Sequence, residues 1–326
     1  MKRDFTIDLI KVIAMLCIIA LHVFPYRSDW SVTNLLYDAS VMGIPLFLMS
    51  SGYLLIGEER VSDKRYILRK FYRIIRFIVL FASVVWALKL LMHQAAMSDW
   101  IHYLTGAFLQ KGPAAVCWYL GAMLIIYLLL PLINRLYCNR KSFIAAFLVL
   151  TLIEFFCFTQ NLLKDTPWEQ SVPQMFRIWN WLYYFMLGGI VKLLSESSYT
   201  IGYKSLAWCL LILLPACIFF QEHFKAQIGS DGCEFFYSSF IVALLAFTAF
   251  ISIKGFTIPE NSLLHKVLAW ISPCFLWVYV THPLIVTFTS QFVNNPFALY
   301  LIVLVISVTF SKVVVSIPIL KKLTSL

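Results

Sequence analysis

Residues 6–26 read TIDLIKVIAMLCIIALHVFPY, an apolar run interrupted only by Thr6, Asp8, Lys11 and His22 before Pro25 and Tyr26 close it. A bilayer's hydrocarbon core, roughly 30 Å thick, is crossed by about 20 apolar residues in a helix. Without water there, the backbone must bond to itself. The run does not alternate polar with apolar residues, which favours a membrane-crossing helix over a barrel strand. No small-residue cleavage site follows it and more such runs do, so it is expected to be a retained helix, not a leader.

The same reading applies to the rest of the chain. Of 326 residues, 61% are hydrophobic and 13% charged, and the apolar ones are gathered in blocks. The blocks predict ten spans, at 6–26, 38–57, 72–92, 116–134, 142–160, 178–194, 205–220, 234–253, 267–289 and 296–318. The expected fold class is therefore an all-α, polytopic transmembrane helix bundle, a single membrane domain over 1–326 with no soluble domain. Lys and Arg divide unevenly between the connections: eighteen fall on the side of the N-terminus, and only Arg27, Lys89, Lys111, Lys164, Arg177 and Lys225 fall at the other side or at helix ends there. The positive-inside rule then predicts cytoplasmic termini. A basic inner face against anionic lipid accounts for the net charge of +10 without nucleic acid as a partner. The eight cysteines show neither a CxxC pair nor metal-ligand spacing, and no metal is expected. Cys117 and Cys233 lie near the same face, but sequence does not fix a pairing.

Ionisable residues inside spans are costly, about 2.5–3.5 kcal/mol each at the helix centre, and so they mark function. Asp8 and Lys11, three residues apart, are placed to pair. Lys11 and His22 are separated by almost three turns, on one stripe about 16 Å long. His282, in Trp277-Val-Tyr-Val-Thr-His-Pro283, lies as deep in the ninth span as His22 does in the first. Two imidazoles at one depth suggest a shared polar cavity; the alternative is that His22 is interfacial and His282 only bonds a neighbouring helix. In the second span, Pro45 is expected to kink the helix. Ser50, Ser51 and Gly52 permit either close helix approach or a cavity lining. Arg69, Arg73 and Arg76 recur at i, i+4 and i+7, one face at the inner mouth of the third span. Guanidinium forks suit phosphate oxygens, whether of a polyphosphorylated ligand or of lipid head groups, and spacing alone favours lipid. Glu154 is a mid-span carboxylate with no partner apparent in sequence. Trp118, Tyr119, Trp168, Trp179, Trp181 and Trp270 are expected mostly in the interfacial belt.

This constellation resembles the acyltransferase family 3 of bacterial membrane proteins. Lys11, ten residues and His22 look like that family's first-helix motif of a basic residue before a histidine. Phe47-Leu-Met-Ser50-Ser51-Gly52-Tyr53 is similar to its Phe-Phe-x-x-Ser-Gly-Phe segment, departing at Leu48 and Tyr53. The Arg69, Arg73, Arg76 row resembles its third-helix arginines. Trp118-Tyr119-Leu120 with Tyr127 and Pro131, Leu187-Gly188-Gly189, and Tyr279-x-x-His282 also fit, in order along nearly the whole chain. Within the family the chain looks most like the O-acetyltransferases of the enterobacterial common antigen and of O-antigens. Lys11 departs from the commoner arginine and loses its bidentate fork. The extracytoplasmic hydrolase-like domain of some relatives has no counterpart up to Leu326.

The resemblance implies transfer of an acetyl group from cytoplasmic acetyl-CoA to a hydroxyl of a cell-surface polysaccharide or its undecaprenyl-linked precursor, in the bacterial inner membrane. On that basis Arg69, Arg73 and Arg76 are expected to hold the coenzyme's phosphates, and Ser50 and Ser51 to line the path of its arm. Lys11, paired with Asp8, would position the donor. His22 would be the base or a transient acetyl carrier, and His282 would orient the acceptor. Acetyl-CoA is expected as a substrate, with no tightly bound cofactor. The alternatives are a transporter or flippase using the same buried groups as a solute or proton path, and a membrane sensor or scaffold.

Overall fold

A computed structural model describes residues 3–24, 30–164, 166–196, 203–230, 232–318 and 320; the expectations for Lys2, Pro25, Tyr26, Arg27, Lys321 and Lys322 lie outside these residues. Thirteen α-helices are formed and no strand appears among the described residues. They are α1 (Phe5–Val23), α2 (Val32–Ala39), α3 (Gly43–Leu55), α4 (Lys64–Leu91), α5 (Trp100–Leu109), α6 (Trp118–Tyr137) and α7 (Arg140–Leu163). Then follow α8 (Ile178–Glu196), α9 (Tyr203–Ile228), α10 (Phe240–Lys254), α11 (Leu263–Ile271), α12 (Phe275–Thr289) and α13 (Pro296–Ser316). Among the described residues, eight helical stretches are long and apolar enough to cross a membrane, two of them continuous runs of paired helices, Val32–Leu55 and Leu263–Thr289. The sixth and eighth expected spans are α8, of 19 residues, and α10, of 15. The chain is an all-α, multi-pass membrane protein.

The second span is broken before Pro45, not at it. A 3-10 turn over Ser40–Met42 separates α2 from α3, and Pro45 follows in the first turn of α3. A missing N–H costs nothing there, because first-turn amides have no intrahelical acceptor.

Helix α1 runs through the middle of the bundle, packed on α3, α10, α11, α12 and α13. Its start is fixed by Asp4, whose carboxylate accepts from the N–H groups of Thr6 and Ile7 at 3.0 and 3.4 Å and from the Thr6 hydroxyl at 2.6 Å. The ammonium of Lys254, at the end of α10, closes on the other oxygen of Asp4 at 2.5 Å. Along its length Ile7, Ile10, Ala14 and Ile19 are almost fully buried.

Helices α3 and α8 make the most intimate contact of the bundle. A Cβ added to Gly52 would strike the carbonyl oxygen of Phe185, and one on Gly188 would strike that of Met49. The two backbones therefore touch at reciprocal glycines, the close approach that small residues permit in membranes.

The end of the bundle away from the N-terminus holds its own polar interior. Lys225, in the last turn of α9, is fully buried and bonds Asp38 of α2 at 3.0 Å and Glu222 at 2.6 Å. Glu169, 0% exposed, accepts from Asn161, Trp179 and Asn180 at 2.8, 2.8 and 3.2 Å. Arg177 donates to the carbonyl of Val172 and lies 3.9 Å from Glu234. Two cations placed by sequence at this surface are thus consumed inside it. Trp118 and Trp181 are also interior, packed together at 4.9 Å, and do not belong to an interfacial belt. Their indoles fill the space between α6 and α8. Cys117 and Cys233 are both free thiols, and burial pushes that of Cys233 up to about 12.

Candidate active site

His22 stands in the last turn of α1 and His282 in the middle of α12. Because these two helices pack side by side, equal depth becomes contact: the ring centroids are 4.8 Å apart, edge to face at 64°. His282 is 0% exposed, and its Nδ1 lies 3.0 Å from the carbonyl of Val278. A carbonyl only accepts, so Nδ1 carries the proton and Nε2 keeps its lone pair. That Nε2 is buried with no hydrogen-bond partner among the described residues. His22, in contrast, is exposed, because it lines a cavity.

The cavity has a volume of about 810 Å³. Around His22 its walls are Ile18 and Leu21 of α1, Trp118, Tyr279 and Pro283; further from the N-terminal end they become polar, with Lys89, Gln94, Gln110, Thr287 and Gln291. His22 is placed to move a proton to or from a group held there, with His282 packed behind it. Below them lies a second cavity of about 80 Å³, walled by Phe47, Tyr119, Leu120, Phe275 and Leu276 and sharing Ile18 and Tyr279 with the first. Tyr119 lies 5.4 Å from Tyr279 by ring centroids and beside Ser51. Tyr127 continues the column to Tyr66, which faces Arg60, Arg69 and Arg73. A column of tyrosines thus joins the basic end to the histidine pair, a feature that sequence offered only as isolated residues.

Arg69, Arg73 and Arg76 lie in the first half of α4, at the opposite end from the cavity. By helical rise, Arg73 and Lys89 are about 24 Å apart along α4. Neither Arg69 nor Arg73 has a carboxylate within ion-pair distance among the described residues; Arg69 donates to the carbonyl of Arg65, and Arg76 lies over the Tyr72 ring at 5.6 Å. Arg69 and Arg73 therefore present guanidinium groups to an anion, with Arg76 on the same face of the helix.

Two expectations are corrected. Asp8 pairs with Arg3 at 2.6 Å instead of with Lys11. Arg3 reaches back from the segment before α1, where it also bonds Ser272 and the carbonyl of Leu268. Lys11 keeps an ammonium without hydrogen bond or ion pair among the described residues, on the stripe that continues through Ile18 to His22. Ser50 and Ser51 line neither cavity: Ser50 is 0% exposed and donates to the Leu46 carbonyl at 2.8 Å, and Ser51 donates to that of Phe47 at 3.1 Å. Glu154 is buried as expected, both oxygens without a partner among the described residues, and lies away from the histidines on α7.

The model of the acyltransferase domain of acyltransferase family 3 matches residues 4–316. The chain belongs to this family. No curated protein matches it, and no solved structure does. The match contains the whole of the histidine pair, the cavity and the arginine row, so this membrane acyltransferase carries all three within its family domain.

Proposed function

We propose that this acyltransferase moves an acetyl group from acetyl-CoA to a hydroxyl of a cell-surface polysaccharide or its lipid-linked precursor, in a bacterial inner membrane with the arginine row on the cytoplasmic side. The observation that carries the proposal is that His22, in ring contact with the buried His282, lines an 810 Å³ cavity. The donor's phosphates are held by Arg69, Arg73 and Arg76, through the bidentate fork that guanidinium offers to phosphate. The pantetheine arm runs along the tyrosine column, with Lys11 beside it, towards Ile18 and Tyr279. The acceptor occupies the larger cavity.

In the reaction, the acceptor oxygen bonds to the acetyl carbon, the carbon–sulfur bond breaks, and the hydroxyl proton passes to the departing thiolate. His22 takes that proton, a task suited to a group whose ordinary pKa is near neutrality. His282, fixed through Nδ1 to the Val278 carbonyl, offers Nε2 to hold the acceptor or the edge of His22 in register. A variant of the same chemistry passes the acetyl group through the imidazole of His22. The second cavity, only about 80 Å³, must widen when the arm arrives.

The experiment is transfer of labelled acetyl from acetyl-CoA by purified protein to a lipid-linked glycan extract of its host. His22→Ala and His282→Ala should each abolish most of the transfer. A rate near that of the unmodified protein in both variants overturns the assignment.

A further inference from the structure

Helices α4 and α12 touch low in the bundle, where Phe77 and Trp277 lie 5.5 Å apart by ring centroids. Their larger contacts are with other partners, α4 with α5 and α6, α12 with α1 and α13. Both nevertheless wall the large cavity, Leu88, Lys89 and Met92 from one side and Leu284, Thr287 and Phe288 from the other. The two helices therefore form a V among the described residues, closed at Phe77 and Trp277 and open beyond. Its lips are apolar and well exposed: Leu88, Met92 and Phe288 are 53%, 56% and 61% exposed. In a bilayer such surface beside the cavity suits a sideways opening to lipid chains between the two helices.

Lys89 stands at this opening as the one charged lysine or arginine among the described residues of the cavity wall, and among those residues no carboxylate lines the cavity. Its ammonium donates to Gln94 Oε1 at 2.6 Å. An ammonium has three N–H bonds, so donors remain for a ligand. Arg177 and Lys225, the other described cations drawn into this end of the bundle, are already committed to Glu234 and to Asp38 with Glu222. A cation beside hydrocarbon, without an acidic neighbour on its wall, is electrostatically complementary to an anion brought by the substrate. Register sets the distance. Lys89 is twelve residues beyond Phe77 and His282 five beyond Trp277, so by helical rise Lys89 lies about 10 Å further out than the histidine pair. A mono- or disaccharide spans that gap.

We infer that the lipid-linked acceptor of the proposed reaction enters between α4 and α12 and that Lys89 is the subsite for the phosphate joining its saccharide to its hydrocarbon chain. Its chain stays in the bilayer against Leu88 and Phe288, its phosphate binds Lys89, and the amides of Gln94, Gln110 and Gln291 face its sugar. The hydroxyl that reaches His22 then belongs to a sugar close to the phosphate. This deepens the acetyl-transfer proposal and rests on it for the role of His22, while the binding claim is tested without chemistry.

The test uses purified full-length protein in nanodiscs and three radiolabelled probes: farnesyl phosphoryl glucose, farnesyl glucoside with the same chain but no charge, and glucose 1-phosphate with no chain. Binding is read by scintillation proximity, corrected with empty nanodiscs. The first probe is expected to bind at least tenfold more tightly than either of the others. Lys89→Gln should remove its advantage over the neutral glucoside, and Lys89→Arg should restore it. Equal binding of glucose 1-phosphate, or an advantage that survives in Lys89→Gln, overturns the inference. Transfer of labelled acetyl is scored separately. Lys89-dependent binding with no transfer to any acceptor sinks the enzymatic proposal and leaves the amphiphile site standing; transfer with binding indifferent to Lys89 does the reverse.

Discussion

Two helix pairs in this bundle solve opposite problems. Helices α3 and α8 lie with their backbones touching at Gly52 and Gly188, whereas α4 and α12 share one aromatic contact at Phe77 and Trp277 and then diverge. In lipid no hydrophobic force drives helices together, and close packing supplies the attraction that remains. The glycine pair gathers that attraction where nothing else is needed. The diverging pair gives it up over half its length, and the space released is the cavity that His22 lines. Stability and chemistry are thus carried by different contacts, and substitutions should separate them.

The largest effect is expected on the open side. His22→Ala should lower acetyl transfer by about 100- to 10,000-fold, the range for removing a general base, while the thermal midpoint of the purified protein stays near that of the unmodified chain. A fall in midpoint as large as the fall in rate would mean that His22 holds the bundle together instead of serving the cavity. On the closed side the reverse is expected. Gly188→Val must push against the Met49 carbonyl, which is backbone and has little freedom to yield. Overpacking costs about 1–3 kcal/mol even among side chains, so the folded yield should drop sharply, with the rate per folded molecule unchanged. Gly188→Val protein that accumulates and melts normally would show that the helices are not in backbone contact.

A smaller effect is expected at the far end of α4. Arg73→Gln removes one guanidinium from the row, and a hydrogen bond to a charged group contributes about 1.5–3 kcal/mol. The KM for acetyl-CoA should rise about tenfold or more, with kcat changed less, since the contact is made equally before and during reaction. An unchanged KM would return the row to lipid head groups.

Much of this contrast was legible in the sequence, and its limits are physical. Helical rise is constant, so the equal depth of His22 and His282 followed from counting, and their contact followed once α1 and α12 proved to be neighbours. Counting does not say which side a flexible segment folds to. Asp8 was matched with Lys11 by spacing, but Arg3, in the coil before α1, reaches it instead. Ser50, Ser51 and Gly52 fitted either packing or a cavity, and the choice was made by Gly188, far away in sequence. The polar wall of the cavity was least legible. Gln94 and Gln110 lie in a connection between spans, and Lys89 looked like an ordinary helix-end cation. Only the divergence of α4 from α12 gives these residues a common surface, and no local pattern encodes an angle between distant helices.

The smallest expected effect concerns how α1 is anchored beneath the histidines. Burial alone would raise the Asp4 carboxyl, but hydrogen bonds from Lys254 and the Thr6 hydroxyl, the nearby ammonium charge and the Ile7 N–H outweigh it and hold it below its ordinary value of 3.8. A carboxyl whose pKa is depressed by folding contributes stability that is fully present above its unfolded value and is lost as pH falls through the folded one. The contribution should therefore be constant at neutral pH and fade only below the usual carboxylate range. Asp4→Asn keeps the shape of the cap and removes the charge, so at neutral pH it should lower the thermal midpoint by a few degrees at most, because Lys254 and Asp4 are partly exposed and solvent weakens the pair. The difference between the variant and the unmodified protein should shrink as the pH is taken into the acid range. A difference that persists unchanged in acid would mean that the cap's hydrogen-bond geometry, and not its charge, fixes the start of α1.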